Sequence, residues 1–162
     1  MIHALLIASL IATPTNTAAS NQPPIQFINP NLKHAPQHVP PFFQHNINKL
    51  KTCNPQLARL VITISLLVPL RVVECHRNKA DQNKAYKQKK SKAPWPHSKH
   101  NQTPSLAVDI VPARFGYRSV AAFYMLADLM KSIGAANNMK IIWGGDWKMR
   151  DYSHFEIWVQ KI

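Results

Sequence analysis

At 162 residues the chain is long enough for one domain and hardly for two, and its ordinary apolar content allows a real core. Twenty Lys and Arg against 7 acids give a formal charge of +13, which implies attraction to a polyanion: nucleic acid, an anionic membrane or an anionic cell wall. Two cysteines, Cys53 and Cys75, allow at most one intramolecular disulfide and form no CxxC pair, so a disulfide framework is excluded. They read as small buried residues, with a bridge between them as the alternative.

Residues 2–12 are an apolar run too short to span a bilayer, followed by small residues at Thr17, Ala18, Ala19 and Ser20. This reads as a signal peptide over residues 1–20, although no Lys or Arg precedes the run. An extended gene start or a loose N-terminal helix is the other reading. Residues 21–41 are rich in Pro, Asn, Gln and His and read as a linker, which leaves 42–162 as the folded domain.

Asn54 before Pro55 predicts a helix start, with the helix running to about Leu67 and stopping before Pro69. A strand follows at Leu70–Glu74. Asn78 with Asp81 predicts a capped, basic helix through about Lys90. From Arg77 to Lys99 eight basic residues face one acid, a net of +7, so the anion attraction is concentrated there.

Leu106–Val111 is an apolar run closed by Pro112, too short for a helix and suited to a buried strand. Helical spacing of Val120, Phe123, Tyr124, Leu126, Ala127 and Met130 predicts a core helix over Ser119–Ile133, ended by Gly134. Lys140–Trp143 reads as a short strand, Gly144-Gly145-Asp146 as a turn, and His154–Gln160 as an alternating strand. The economical fold class is α+β, with helices packed on a small, mostly antiparallel sheet.

Asp109 sits inside the apolar strand, where an ionised carboxylate costs several kcal/mol unless a cation or donors compensate it. His100 lies nine residues upstream across a polar turn, and Asp151 with His154 forms a second acid–histidine pair. One buried carboxylate, two imidazoles and a spare acid suit a catalytic zinc site, with three protein ligands and one open position. His97 is a rival ligand without strand geometry to aim it.

The segments Ser98-Lys-His100, Pro104-Ser105-Leu-Ala107-Val-Asp109 and Asp151-Tyr-Ser-His154-Phe-Glu156 resemble the zinc D-alanyl-D-alanine carboxypeptidase and L-alanyl-D-glutamate endopeptidase family, which includes vancomycin-resistance dipeptidases and phage endolysins. Arg77 with Gln82 and Trp143-Gly-Gly-Asp-Trp147 extend the likeness to about residues 42–160. The resemblance implies a Hedgehog/DD-peptidase-like fold and Zn2+ bound by His100, Asp109 and His154. It further implies Asp151 as acid/base and Arg77 as a holder of a substrate carboxylate or oxyanion. Ser98 and Gln82 are then substrate-binding or supporting residues. Glu156 is either a rival base or, preferably, support for His154. Two departures stand out: the His100-to-Asp109 spacing is two residues longer than usual, and Cys75 occupies a position where glycine is common.

The implied activity is hydrolysis of the peptidoglycan stem peptide, at the L-Ala–D-Glu bond because Asp151 stands where the D-Ala–D-Ala dipeptidases carry glutamate. The alternatives are a D-Ala-D-Ala carboxypeptidase and a non-catalytic wall-binding module of the same fold. Peptidoglycan and anionic wall polymers are the expected partners of a monomer. A dedicated nucleic-acid partner is not expected, since only Tyr86 and Trp95 interleave the basic stretch. The expected location is secreted, periplasmic or wall-bound if residues 1–20 are a signal peptide, and otherwise that of an endolysin released to the wall from the host cytoplasm.

Overall fold

The computed structural model describes residues 41–159. The signal peptide and linker expected over residues 1–41 lie outside the described residues, except Pro41, which begins the first helix. Helices α1 (Pro41–Leu50), α2 (Pro55–Ser65), α3 (Lys79–Lys87) and α4 (Val120–Ala136) accompany strands β1 (Leu70–Glu74), β2 (Ala107–Pro112), β3 (Ile141–Trp143) and β4 (His154–Ile157). The strands form one antiparallel sheet in the order β1-β2-β4-β3, so the α+β expectation holds.

The local signals act where the chemistry places them. Asn54 Oδ1 accepts from the amides of Gln56 and Leu57 at 2.9 and 3.4 Å, which caps α2 ahead of Pro55. Asn78 and Asp81 cap α3 reciprocally, Oδ1 accepting from the Asp81 amide at 2.9 Å and Nδ2 donating to its carboxylate at 2.8 Å. This helix stops at Lys87, short of Lys90, and Lys89 takes a left-handed φ of 58°. Helix α2 likewise stops at Ser65, two residues short of Leu67.

Helix α4 differs in how it ends. Gly134 lies inside it, and the chain leaves the helix through Asn138 at φ 56°. The amide of Met139 then returns to the carbonyl of Gly134 at 2.9 Å. Gly134 is instead a packing residue, since a Cβ there would stand 2.7 Å from Ile141 Cγ1.

Helix α4 packs on α2 and across β2 and β3, enclosing Leu57, Ile64, Ile110, Leu126, Met130 and Phe155. Along β1, α1 serves a different purpose. Asn46 donates to the Leu70 carbonyl at 3.0 Å and accepts from the Val72 amide at 2.8 Å, so its amide completes the ladder of an edge strand. Cys53 and Cys75 are bonded to each other, with Cα atoms 5.2 Å apart. This corrects their reading as free buried residues. The fold brings the end of β1 against the segment before α2, a proximity that a separation of 22 residues does not disclose.

The sheet register positions the site. On central strand β2, Asp109 is paired with Glu74 of β1 on one side and with His154 of β4 on the other. Behind β4, Gly144 approaches so closely that a Cβ would fall 2.5 Å from the Asp151 carbonyl and 3.1 Å from the His154 Cβ. Gly144→Ala is therefore expected to destabilise the domain by about 1–3 kcal/mol, the usual range for overpacking. Chemical denaturation measures this, and an unchanged midpoint would show that the Asp151–His154 segment yields freely.

Candidate metal centre

Three donor atoms converge at one end of the sheet. His100 Nε2 and His154 Nδ1 are 3.1 Å apart, and each is 3.3 Å from Asp109 Oδ1. Zinc–donor bonds of about 2.0–2.1 Å place tetrahedral donors about 3.3–3.4 Å apart, so this triangle matches one face of such a site. Asp109 Oδ1 is also the one buried side-chain oxygen or nitrogen among the described residues that lacks a hydrogen-bond partner. A buried anionic oxygen with no well-aligned hydrogen bond, facing two imidazole nitrogens, is what a divalent cation would satisfy.

Each ligand is aimed by a neighbour. His100 lies in a short 3₁₀ turn, Lys99–Asn101, whose start is capped by Ser98: the Ser98 hydroxyl accepts from the His100 amide at 3.2 Å. Its ring Nδ1 stands 2.6 Å from the carbonyl of Cys75, which holds the proton on Nδ1 and turns the Nε2 lone pair inward. His154 is the mirror case. Its Nε2 faces Glu156 Oε2 at 3.1 Å, so Nδ1 points to the other ligands. Glu156 thus stands where it can orient His154, a candidate ligand.

Arg77 contacts Asp109, the third candidate ligand. Nε donates to Glu74 Oε2 at 2.7 Å, Nη1 to Gln82 Oε1 at 3.2 Å, and Nη2 contacts both Glu74 Oε2 and Asp109 Oδ2, the latter at 3.5 Å. By the inventory of five guanidinium N–H groups, one on Nη1 stays available. Gln82 is fully buried and also accepts from Asn101 Nδ2 at 3.2 Å, which ties α3 to the His100 turn. A cavity of about 260 Å³ opens beside Arg77, lined also by Glu74, Asp81, Lys84, Gln88 and Lys90.

Asp151 stands outside the donor triangle. Its carboxylate accepts from the Ser153 hydroxyl at 3.0 Å, and its amide donates to the Gly144 carbonyl at 2.9 Å. Trp147 covers His154, with ring centroids 5.0 Å apart. His97 stays exposed and outside the group. Sequence reasoning missed Glu74 and the Cys75 carbonyl, and it included Trp147 in the family likeness without its place over His154. Only Glu74 leaves a trace, an acid three residues before Arg77; a main-chain carbonyl leaves none.

The charges are coupled. Burial works against ionisation of Asp109, but the two imidazoles facing it outweigh burial and hold its carboxyl far below the usual carboxylate range. Burial disfavours the His154 imidazolium, yet the Asp109 and Glu156 carboxylates at its two nitrogens push its pKa up to about 9. Without metal, His154 is therefore a cation at neutral pH, and metal must displace its proton.

A family model described as D-alanyl-D-alanine carboxypeptidase matches residues 91–157, a span holding all three candidate ligands. Among solved structures the chain is similar to an L-Ala D-Glu endopeptidase from Serratia marcescens, ChiX, with 27% identity and a TM-score of 0.60. The similarity covers 70% of this chain and 86% of that one. No curated protein matches the chain significantly. Sequence motif, family match and structural likeness agree: the chain is similar to D-alanyl-D-alanine carboxypeptidases and related endopeptidases.

Two predictions follow from the coupling. The raised pKa of His154 stabilises the metal-free fold fully below its unfolded value of 6.5, and this contribution is lost as pH rises through about 9. Asp109 contributes above its unfolded value of 3.8, and that contribution is lost as pH falls towards its depressed value. Chelator-treated protein should lose thermal stability between pH 6.5 and 9, and metal-loaded protein should not, because His154 is then a neutral ligand. A flat melting temperature across that window in the chelated protein would refute the assignment. Separately, Glu156→Gln should weaken zinc binding about 10–100-fold in a chelator competition, the usual cost of removing a group that orients a ligand. Unchanged affinity would deny Glu156 that role.

Proposed function

We propose that the protein is a zinc-dependent peptidoglycan peptidase that hydrolyses the L-Ala–D-Glu bond of the stem peptide. The observation that carries this reading is the His100–Asp109–His154 triangle with its partnerless buried Asp109 oxygen, inside the segment matched by the peptidase family model. The choice of bond leans on the likeness to the Serratia endopeptidase, which extends well beyond the family-model match, and on Asp151.

His100, Asp109 and His154 would hold the ion. Zinc in such a site would supply Lewis acidity towards a carbonyl oxygen and bring the pKa of a water down to roughly 7. Asp151 is assigned the proton: its carboxylate takes it from the attacking water and delivers it to the departing amine. Arg77 holds Asp109 in place and offers its remaining N–H to an anionic oxygen of the peptide. Lys84 and Lys90, which line the same cavity, favour a substrate bearing carboxylates, as stem peptides do. Wall anions would concentrate a protein of charge +13 at its substrate, an attraction that salt weakens. Action at the wall, by export or by release from the host cytoplasm, belongs to the same proposal.

The test is mass spectrometry of purified peptidoglycan digested by the zinc-loaded protein, with a chelated control. New N-terminal D-glutamate released only with metal is expected. Release of a single terminal D-alanine would assign the bond named by the family description instead, and zinc binding without any cleavage would leave a wall-binding module. Asp151→Asn should keep zinc and lose about 10²–10⁴-fold in rate, the usual contribution of general acid–base catalysis. His154→Ala should lose both. Full activity in Asp151→Asn would return the proton-transfer role to Glu156.

A further inference from the structure

We propose that the Cys53–Cys75 disulfide is a positioning device for the ligand His100, and that it makes metal affinity depend on thiol redox state. The inference rests on the reading of the His100–Asp109–His154 triangle as a metal site. Cys75 follows directly on β1, beyond the last residue paired with β2 and just past the register irregularity between Val72 and Glu74. Its carbonyl is therefore not fixed by the sheet ladder. Yet that carbonyl holds His100 Nδ1 at 2.6 Å and lies 3.0 Å from the Ser105 hydroxyl.

On the other side, Cys53 makes an isolated parallel bridge with Ser105. The Ser105 amide donates to the Thr52 carbonyl at 2.9 Å, and the Asn54 amide to the Ser105 carbonyl at 2.7 Å. The His76 amide donates to the Thr52 hydroxyl at 3.1 Å, and the Arg77 amide to the His100 carbonyl at 2.9 Å. The loop from His100 to Ser105 is thus held between two short segments, and the disulfide is the covalent link joining those segments.

No other cysteine exists in the chain, so a reductant has one target. Both residues are buried, at 3% and 1% exposure, which shields the formed bond from thiols and lets the redox state be set as the protein folds. In a compartment kept reducing the bond does not form as the chain folds, and in an oxidising one it does. The site therefore acquires its full metal affinity outside a reducing cytosol.

The experiment refolds the full chain with and without tris(2-carboxyethyl)phosphine. In the reduced sample the S–S bond breaks, two hydrogens of a water pass to the sulfurs, and its oxygen oxidises the phosphine to the phosphine oxide. After anaerobic removal of the phosphine, thiols are counted and zinc affinity is measured by chelator competition. The visible spectrum of the Co²⁺ form reads the ligand set. The reduced protein is expected to keep the near-ultraviolet circular dichroism of its buried Trp143 and to bind zinc about 10–100-fold more weakly, with an altered cobalt spectrum. Cys53→Ser/Cys75→Ser should behave like the reduced form under both conditions.

Equal affinity and identical cobalt spectra for the two forms would overturn the proposal. So would loss of the near-ultraviolet signal on reduction, because the bond would then hold the whole fold and not the ligand loop. The activity reading fails separately. An oxidised form that binds zinc tightly but cuts no stem peptide removes the peptidase assignment and leaves the redox dependence standing, whereas an oxidised form that binds no zinc removes both.

Discussion

The carboxylate of Asp109 is the constraint around which the domain is arranged. One of its oxygens is buried without a hydrogen bond, on a central strand, 3.3 Å from each of two imidazole nitrogens. Such a group is costly in a fold selected for stability alone. Its neighbours compensate in part, through protonated His154 and the Arg77 guanidinium on the opposite oxygen. That compensation is electrostatic and pH-dependent, whereas a divalent cation would satisfy all three donors at once. The same atoms thus serve two states, a proton-stabilised apo site and a metal-ready one.

The antiparallel sheet makes this arrangement possible at little conformational cost. Pairing of β2 with β4 sets Asp109 opposite His154 by register, so two ligands need no loop to meet. Pairing of β2 with β1 sets Glu74 opposite Asp109, and Arg77 then spans the two acids. Only His100 comes from a turn, and only its turn needs a capping serine, a buried glutamine network and a carbonyl anchor. The density of support around a ligand rises as its backbone becomes less regular.

That gradient also explains what the sequence discloses. Asp109 and His154 are legible because period-2 alternation and a lone acid in an apolar run are local patterns. Helices α2 and α3 are legible because Asn54-Pro55 and Asn78 with Asp81 satisfy amides only a few residues away. The contribution of α1 is hidden, because Asn46 acts on a strand 24 and 26 residues away. Gly134 misleads for the same reason: its contact is with Ile141 across the core, and no local rule separates a packing glycine from a terminating one. Cys53 and Cys75 follow suit, since their pairing depends on where β1 ends and α2 begins in space.

The charge distribution gains a meaning that composition alone could not supply. The basic stretch from Arg77 to Lys99 is not one continuous face. Arg77 turns inward to two carboxylates, while Lys84 and Lys90 line the cavity beside it. Arg77 is therefore committed to holding the carboxylates of Glu74 and Asp109, and the flexible lysines carry positive charge along the cavity. Dividing the work in this way keeps a rigid planar cation next to Asp109 and compact, hydrated ones along the cavity.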